Sequence, residues 1–284
     1  MEELRYGADI APLKESEVTL PLKDKEERLQ ELLRKFTSDP VVLAFSGGAD
    51  SSLLLKELTL ISPEVRLLPV FIDSFLNPRS SLESAQSFCK SLNLELTVLS
   101  VNELNHPLIL NNDKSRCYHC KSLLFKTLKE YAKAQGAATV MDGTNYDDLF
   151  VYRPGLQALR ELKILSPLAL SALTKEEIRA LGKEYQLKAT AAPSSPCLAT
   201  RFPYGTPLTR GDLERVAMAE SCLKKFGFYN VRVRVHGSLA RLELDAGALI
   251  RALALKEAIV KRIRELGFKY VTLDLEGFRS GSMD

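Results

Sequence analysis

The sequence lacks the features of several protein classes. Its apolar runs, such as residues 41–45 and 65–73, are strand-sized and fall well short of the ~20 residues that a membrane-spanning helix needs. The first residues, Met-Glu-Glu-Leu-Arg-Tyr, lack the basic and apolar regions of a signal peptide. No internal repeat or low-complexity segment is visible. These absences predict a protein of the cytoplasm that does not associate with membranes.

The sequence also has little excess of charge of one sign. The 39 basic residues nearly balance 36 acidic ones and leave a net charge of +3. Because the charges are scattered, they form no strong electrostatic footprint for nucleic acid. With 284 residues, of which 45% are hydrophobic, the chain is long enough to bury a large core. We therefore expect a globular protein that does not bind nucleic acid.

Strand and helix patterns alternate through the first two thirds of the chain. Continuous apolar strands separated by helices indicate a mostly parallel sheet that is covered on both faces. The predicted strands are 41–45, 66–72, 95–99 and 139–141, and the predicted helices are 24–36, 52–61, 80–92, 122–134 and, after a capping box at Thr174, 175–185. This pattern predicts a doubly wound α/β domain over residues 1–195.

The pattern breaks between residues 189 and 207, which are dense in proline and small residues. Such a stretch is typical of a domain boundary, and we assign an interdomain loop to residues 196–208. The predicted elements beyond it are a helix at 210–225, strands at 231–235 and 240–244, a helix at 247–265 and a strand at 270–275. This order predicts a smaller α+β domain at 209–284, with helices on one face of an antiparallel sheet.

A glycine- and serine-rich loop follows the first strand. Residues 46–52 read Ser-Gly-Gly-Ala-Asp-Ser-Ser and lead into a helix, so backbone N–H groups and the helix N-terminus can face an anion. No lysine follows the glycines, so the Walker pattern of phosphoryl-transfer enzymes is absent. Asp50 is suited to hold Mg²⁺. The candidate ATP-binding residues in this loop are Ser46, Gly47, Gly48, Asp50, Ser51 and Ser52.

This string resembles the loop of the pyrophosphate-loop (PP-loop) superfamily, whose members cleave ATP between its α- and β-phosphates. Two further segments resemble that superfamily, Phe-Ile-Asp-Ser at 71–74 and Asp-Gly-Thr-Asn-Tyr-Asp-Asp at 142–148. All three would meet at the carboxyl edge of the sheet, where open α/β folds bind ligands. The resemblance adds four candidate ATP-binding residues, which are Asp73, Ser74, Gly143 and Thr144.

Five cysteines form no regular framework, and we expect them to stay reduced. Cys197 lies in the interdomain loop, where the nearby Arg201 would favour a thiolate nucleophile. Cys117 and Cys120 form one CxxC motif, which suits half a zinc site, a redox pair or two iron–sulfur ligands. No second CxxC completes a zinc site. With Cys197 as the third thiol, the three cysteines are candidate ligands of a [4Fe–4S] cluster with one open iron.

Two cysteines have no assigned chemistry. Cys89 and Cys222 lie in apolar helical stretches and are predicted core residues. His119, between the two thiols of the CxxC motif, is interpreted as a loop histidine.

Five motifs together are similar to the LarE family, and the resemblance covers nearly the whole chain. They are the loop at 46–52, Arg-Cys-x-x-Cys-Lys at 116–121, Tyr-Arg-Pro-Gly-Leu at 152–156, residues 196–205, and Arg-Val-Arg-Val-His-Gly at 232–237. LarE is the ATP-dependent sulfurtransferase that makes the nickel-pincer nucleotide cofactor of lactate racemase. The resemblance implies adenylation of a carboxylate of pyridinium-3,5-biscarboxylic acid mononucleotide with ATP and Mg²⁺, followed by conversion to a thiocarboxylate. We also expect a homo-oligomer.

Two sulfur chemistries are known in this family. In one, the cysteine matching Cys197 gives up its own sulfur and becomes dehydroalanine. In the other, three cysteines bind a [4Fe–4S] cluster whose extra sulfide is transferred, and a sulfur donor would reload it. Because this chain has all three thiols, it resembles the second subgroup.

The resemblance assigns further roles in the second domain. Arg232 and Arg234 alternate with valines, so both are expected on the exposed face of one strand. With Arg201, they are candidates to bind the substrate phosphate, which suits arginine geometry. Glu220 and Glu243 resemble acidic metal-binding positions of the family, although such glutamates are commonly solvated.

Three alternative functions remain open at this stage. One is a PP-loop enzyme that thiolates tRNA, which the weak net charge disfavours. The second is an amide-forming synthetase that uses ammonia, for which the cysteines would have no purpose. The third is a nucleotide-binding module without catalysis.

Overall fold

The computed structural model describes residues 13, 15–36, 38–61, 63–77, 80–151, 153–191 and 196–279. Within these ranges the helices are α1 (Glu15–Val18), α2 (Leu22–Arg34), α3 (Ala49–Ile61), α4 (Ser80–Ser91), α5 (Pro107–Leu110), α6 (Arg116–Ala134), α7 (Gly155–Glu161), α8 (Pro167–Leu170), α9 (Lys175–Glu184), α10 (Arg210–Lys225), α11 (Leu249–Ala254) and α12 (Lys256–Glu265). The strands are β1 (Val41–Ala44), β2 (Leu67–Ser74), β3 (Thr97–Val101), β4 (Thr139–Met141), β5 (Val231–His236), β6 (Leu239–Leu244) and β7 (Tyr270–Leu273).

The chain divides into two compact units. The first comprises residues 1–74, 79–101 and 115–192, and the second comprises 75–78, 102–114 and 193–284. The sequence analysis predicted that residues 1–195 form one continuous domain. The structure instead assigns residues 75–78, 102–114 and 193–195 of that stretch to the second unit.

The first unit contains a four-stranded sheet in the order β3-β2-β1-β4. Every neighbouring pair in it is parallel. Val41 and Leu43 pack into one core with α2, α3, α4 and α9, whereas Val42 packs into another with α6 and α7. Because alternate residues of a strand face opposite sides of the sheet, helices cover both faces. The predicted α/β fold is confirmed.

The second unit contains a smaller sheet in the order β5-β6-β7. β5 and β6 pair antiparallel, but β6 and β7 pair parallel, so the prediction of an antiparallel sheet was wrong. The cause is the α11–α12 connection, because a helical crossover returns the chain to the end from which it left and leaves the next strand parallel. The single helix predicted at 247–265 is two helices that meet at Leu255.

Helix α6 begins six residues earlier than predicted. Cys117, His119 and Cys120 therefore lie in its first turns rather than in a loop. The short helices α5, α7 and α8 were not predicted. Cys89 is a core residue as expected, whereas Cys222 is only partly buried on α10, which corrects its assignment to the core.

A buried carboxyl group lies in the middle of α3. Glu57 is fully buried, and its Oε2 accepts a 3.1 Å hydrogen bond from Gln30 Nε2. Its Oε1 has no hydrogen-bond partner among the described residues. Nearby, the Tyr185 hydroxyl donates to Glu26 Oε1 at 2.6 Å. Burial, with a smaller contribution from the neighbouring Glu26, raises the pKa of Glu57 from 4.5 to about 7.

This arrangement predicts a pH-dependent loss of stability. A carboxyl group whose pKa is raised in the folded state stabilises the fold below its unfolded-state pKa of 4.5, and that contribution is lost as the pH rises towards 7. A Glu57→Gln variant removes the titration, so above pH 7 it should exceed the wild type in free energy of unfolding by up to about 3 kcal/mol. Urea unfolding at several pH values checks this expectation. The exposed Glu95→Gln substitution is the control, and an equal pH dependence of wild type and Glu57→Gln would contradict it.

Candidate active site

The loop between β1 and α3 turns at Gly47 and leads directly into the N-terminus of α3. Gly47 has a φ of +72°, which favours glycine. A Cβ there would lie 3.1 Å from the backbone nitrogen of Ala85, so α4 also leaves no room for a side chain. A tight turn followed at once by a helix N-terminus presents backbone N–H groups to a ligand.

Hydrogen bonds within the loop fix its shape. The Ser46 and Ser51 hydroxyl groups lie 3.1 Å apart, and Ser51 Oγ donates to the Gly48 carbonyl at 3.2 Å. Ser51 and Ser52 are buried, whereas Ser46 and Gly48 are exposed. The exposed residues therefore form the surface that a triphosphate can reach, and the buried serines support it.

The loop after β4 packs directly on this turn. A Cβ on Gly143 would lie 3.0 Å from the Ser51 backbone nitrogen, so a larger residue would push the two loops apart by a few tenths of an ångström. Asn145 Nδ2 donates to Asp50 Oδ2 at 3.2 Å, and Asn145 Oδ1 accepts from the Asp148 backbone at 3.1 Å. The structure thus brings together two of the three segments that the sequence singled out.

Asp50 and Asp148 form an acidic pair in this region. Burial raises the pKa of Asp50, and the charge of Asp148 raises it further. Asp148 lies 2.8 Å from Lys175 Nζ and 3.1 Å from Arg153 Nη2. Those cations partly offset the two carboxylates.

A second buried carboxylate organises the loop after β4. Asp142 accepts hydrogen bonds from Thr144 Oγ1 at 2.5 Å and from Ser166 Oγ at 2.7 Å. Lys121 Nζ lies 3.6 Å from Asp142 Oδ2. Lys121 follows Cys120 on α6, so this contact links the helix that carries the two thiols to the candidate ATP site. The Thr144 hydroxyl therefore helps to fix the conformation of the loop.

The third segment lies at the same edge of the sheet. Asp73 and Ser74 end β2, which is parallel to β1, so both strands end on the side of the glycine-rich loop. Asp73 is exposed and Ser74 is buried. Their role in ATP binding stays a prediction.

The two thiols of the CxxC motif lie on one helical face. Cys117 and Cys120 are three residues apart at the start of α6, and residues at this spacing are neighbours on a helix surface. Cys117 is exposed and Cys120 partly exposed. The buried Arg116 donates from Nη2 to Cys117 Sγ at 3.7 Å. The structure therefore places the two thiols side by side at the start of α6, and their role as cluster ligands stays a prediction.

Among the described residues, no group of three or more His, Cys, Asp or Glu side chains is arranged to hold a metal ion. Cys197 belongs to the second unit, whereas Cys117 and Cys120 belong to the first. All five cysteines lie in described ranges and none forms a disulfide.

Cys197 precedes a 3₁₀ turn at Leu198–Arg201 and is partly exposed. The flanking backbone is anchored, because Leu198 N donates to the Leu76 carbonyl at 2.8 Å. Leu198 and Phe202 are buried. A partly exposed thiol on an anchored turn suits a nucleophile better than a core residue.

The arginines of β5 are buried, contrary to the prediction of an exposed face. Arg232 and Arg234 are 4% and 5% exposed, because α10 and the turn after Cys197 pack on β5. Arg234 Nε pairs with Glu243 at 2.9 Å. Arg232 lies over the Phe278 ring at 5.0 Å and donates to the Val231 carbonyl.

Arg201 is fully buried, and its contacts differ from those predicted. It forms a two-pronged pair with Glu220, with Nε and Nη2 donating at 2.8 and 3.0 Å. Its Nη1 donates to the carbonyls of Pro196 and Cys197. The guanidinium is thus directed at the backbone and at Glu220, not at an open phosphate site.

Glu220 and Glu243 are likewise buried partners of arginine, not solvated acids. Both carboxylate oxygens of each accept from arginine, with Arg241 occupying the second oxygen of Glu243. These contacts give no support to the metal-binding role.

The cluster of charged side chains around β5, most of which are buried, carries one more positive than negative charge. Its acidic members are Glu220, Glu243 and Asp274, and its basic members are Arg201, Arg232, Arg234 and Arg241. Burial, with a smaller contribution from the charge of Arg201, lowers the pKa of Arg232 to about 10. A bound anion would stabilise the charged guanidinium and so raise that pKa again.

Comparisons with known proteins identify the family. A PP-loop domain matches residues 21–150. The chain is 35% identical over 244 residues to the pyridinium-3,5-bisthiocarboxylic acid mononucleotide synthase of Lactiplantibacillus plantarum, a LarE protein, covering 86% of this chain and 88% of the relative. The chain belongs to the LarE family.

Two further relatives of this LarE-family chain are uncharacterized proteins. One, from Synechocystis, is 37% identical over 93% of this chain and 98% of its own length. The other, from Methanocaldococcus jannaschii, is 35% identical over 88% of this chain and 94% of its own. Within the described residues of the LarE-family chain, no helix is long and apolar enough to cross a membrane.

Sequence reasoning missed several residues of this LarE-family site. Asn145 and Asp148 stand in the quoted segment 142–148, but no role was assigned to them. Ser166 and Lys175 lie outside every motif, and only the fold brings them to Asp142 and Asp148. Tyr152, within a motif of the resemblance, lies outside the described residues.

Proposed function

We propose that this protein uses ATP to adenylate a carboxylate of pyridinium-3,5-biscarboxylic acid mononucleotide and then converts it to a thiocarboxylate. The observation that carries the proposal is the joining of the glycine-rich loop to the loop after β4, through Gly143 and the Asn145–Asp50 hydrogen bond. The synthase name of the Lactiplantibacillus plantarum relative supports the choice of substrate.

Activation of the carboxylate explains the use of ATP. A substrate carboxylate oxygen attacks the α-phosphorus, the bond to the β-phosphate oxygen breaks, and pyrophosphate leaves. AMP is then a much better leaving group than oxide, so a sulfur nucleophile can displace it at the carbonyl carbon. The loop lacks the Walker lysine that clamps a γ-phosphate, which agrees with pyrophosphate release.

Asp50 and Asp148 are the proposed Mg²⁺ ligands. Asn145 contacts both residues, and carboxylates together with phosphate oxygens are ligands that Mg²⁺ prefers. When bound, Mg²⁺ would offset the charge of the triphosphate. Asn145 holds Asp50 in place, while Lys175 and Arg153 moderate the charge of Asp148.

Cys197 is the proposed residue of sulfur transfer. In the version that we favour, Cys117, Cys120 and Cys197 are the ligands of a [4Fe–4S] cluster, which would supply an extra sulfide. The pair on α6 supports two of these ligands. The alternative is that Cys197 donates its own sulfur. A sulfur donor protein, a homo-oligomeric state and a cytoplasmic location belong to the same proposal.

The substrate phosphate is proposed to bind at Arg232 and Arg234. The positive excess of their cluster supports an anion there. Arg201 was predicted to bind the phosphate with them. Its guanidinium instead donates hydrogen bonds to Glu220 and to backbone carbonyls.

Substrate-dependent exchange of labelled pyrophosphate into ATP tests the adenylation step. The proposal expects exchange with the pyridinium biscarboxylate nucleotide and none with bulk tRNA. Exchange with tRNA alone would favour the tRNA-thiolating alternative. Absence of exchange with either would refute adenylation.

The cluster predicts the metal content of protein purified without oxygen. We expect close to four iron and about as many sulfide ions per chain, with both largely lost in Cys117→Ala because one ligand thiol is gone. Cys222→Ala is the matched control and should keep its iron. Iron-free wild type that loses one sulfur per turnover at Cys197 would contradict the cluster and favour the sacrificial chemistry.

A further inference from the structure

The residues around Cys197 are held by a buried arginine. We call residues 196–202 the Cys197 turn. All three guanidinium nitrogens of Arg201 donate hydrogen bonds, Nε and Nη2 to Glu220 and Nη1 to the turn. Nη1 lies 3.1 Å from the Pro196 carbonyl and 3.2 Å from the Cys197 carbonyl. Arg201 therefore ties the backbone that carries the thiol to α10.

Thr200 completes this contact. Its hydroxyl accepts from Arg201 Nη1 at 2.8 Å and donates to the Cys197 carbonyl, also at 2.8 Å. The backbone nitrogen of Thr200 donates to the same carbonyl at 3.1 Å. Three donors thus converge on one carbonyl oxygen, that of the residue proposed to transfer sulfur.

A second arginine–glutamate pair holds the other end of the turn. Arg234 Nη1 donates to the Thr200 carbonyl at 2.8 Å, while its Nε pairs with Glu243 on β6. The turn is thus fixed from α10 by one pair and from the sheet by another. Because each cation is buried and paired, these anchors have a defined geometry.

We propose that Arg201 is a positioning residue for sulfur transfer, which fixes the Cys197 turn through Glu220 and does not bind the substrate phosphate. The inference rests on the proposed function, because positioning matters only if Cys197 takes part in the chemistry. A displacement of about 1 Å in a reacting group can cost about 10²-fold in rate. Lysine cannot replace the planar fork that contacts Glu220 and the carbonyls together.

Two variants test this role. Arg201→Lys removes the forked contact but keeps the charge. Thr200→Val is milder, because it removes only the hydroxyl between Arg201 and the Cys197 carbonyl. Arg262→Lys is the matched control, since Arg262 forms an exposed pair with Glu265 and has no part in the site.

Hydrogen–deuterium exchange of the Cys197 turn gives a readout that does not depend on activity. In both variants the amides of Thr200 and Phe202 should exchange at least several-fold faster, because the turn opens more readily. A peptide covering α12 should not change. Unaltered hydrogen–deuterium exchange in the turn of both variants would overturn the inference. A wild type that transfers no sulfur would refute the proposed function, and the exchange measurement can be read independently of that result.

The kinetic readout separates positioning from phosphate binding and from simple destabilisation. For Arg201→Lys we expect kcat for thiocarboxylate formation to fall about 10²-fold, with the KM for the nucleotide and the rate of pyrophosphate exchange unchanged. Thr200→Val should show a smaller loss of the same kind. An increased KM with wild-type kcat would assign Arg201 to the phosphate, and equal losses of exchange and transfer would indicate a merely structural role. Either result would overturn the proposal.

Discussion

A Cys197→Ser variant is expected to release pyrophosphate from ATP but to form no thiocarboxylate. Serine is close in size to cysteine and keeps the backbone contacts of the turn, so adenylation should proceed. Its hydroxyl offers no sulfur to the activated carbonyl. Pyrophosphate exchange and mass spectrometry of the nucleotide measure the two steps separately. We expect exchange at the wild-type rate and thiocarboxylate below detection.

The variant is expected to affect only one step because the two steps are assigned to residues of different units. Cys197 belongs to the second unit, whereas the glycine-rich loop and Asp50 belong to the first. Cys222→Ser provides a matched control, because Cys222 is also a partly exposed thiol but lies outside the site. Thiocarboxylate formed by Cys197→Ser at a rate near that of the wild type would rule out Cys197 as the residue of sulfur transfer.

An Asp50→Asn variant should lose the adenylation step itself. Asn145 holds the Asp50 carboxylate beside Asp148, and an amide of the same shape removes the charge that would bind Mg²⁺ against the triphosphate. Loss of one preorganised electrostatic group at a reacting centre costs about 10² to 10³-fold in rate. We expect a fall of at least that size in pyrophosphate exchange, with a matching loss of thiocarboxylate.

The control for this variant is Asp24→Asn, which changes an exposed aspartate in the first turn of α2. Thermal unfolding should show that Asp50→Asn is folded. It should even be slightly more stable without ligand, because burial and Asp148 disfavour the charged form of Asp50. Exchange within a factor of two of the wild type would contradict the assignment of Asp50.

Much of the first unit was predictable because its signals are local. Apolar strands between helices gave the parallel sheet, and the glycine-rich loop after β1 marked the ligand edge. The start of α6 was not predictable in this way. Its first residues, Arg-Cys-Tyr-His-Cys, contain no aliphatic side chain, so the helix there depends on tertiary packing more than on its own pattern.

In the second unit, local sequence patterns did not predict which side chains are buried. Alternation correctly put Arg232 and Arg234 on one face of β5, but it carries no information about what covers that face. The covering elements are α10, which directly precedes β5 in the chain, and the Cys197 turn. Buried arginines require buried partners, and Glu220 and Glu243 meet that need. From the sequence alone the same glutamates were predicted to be solvated or metal-binding, because pairing between side chains of different elements leaves no periodic signal.

The most direct test is the mass of the nucleotide after incubation with the purified protein, ATP and Mg²⁺. The expected result is replacement of carboxylate oxygen by sulfur in pyridinium-3,5-biscarboxylic acid mononucleotide, accompanied by AMP and pyrophosphate. This replacement of oxygen by sulfur should depend on ATP, Asp50 and Cys197. An unchanged nucleotide mass, with ADP and phosphate as the only products from ATP, would contradict the proposed function.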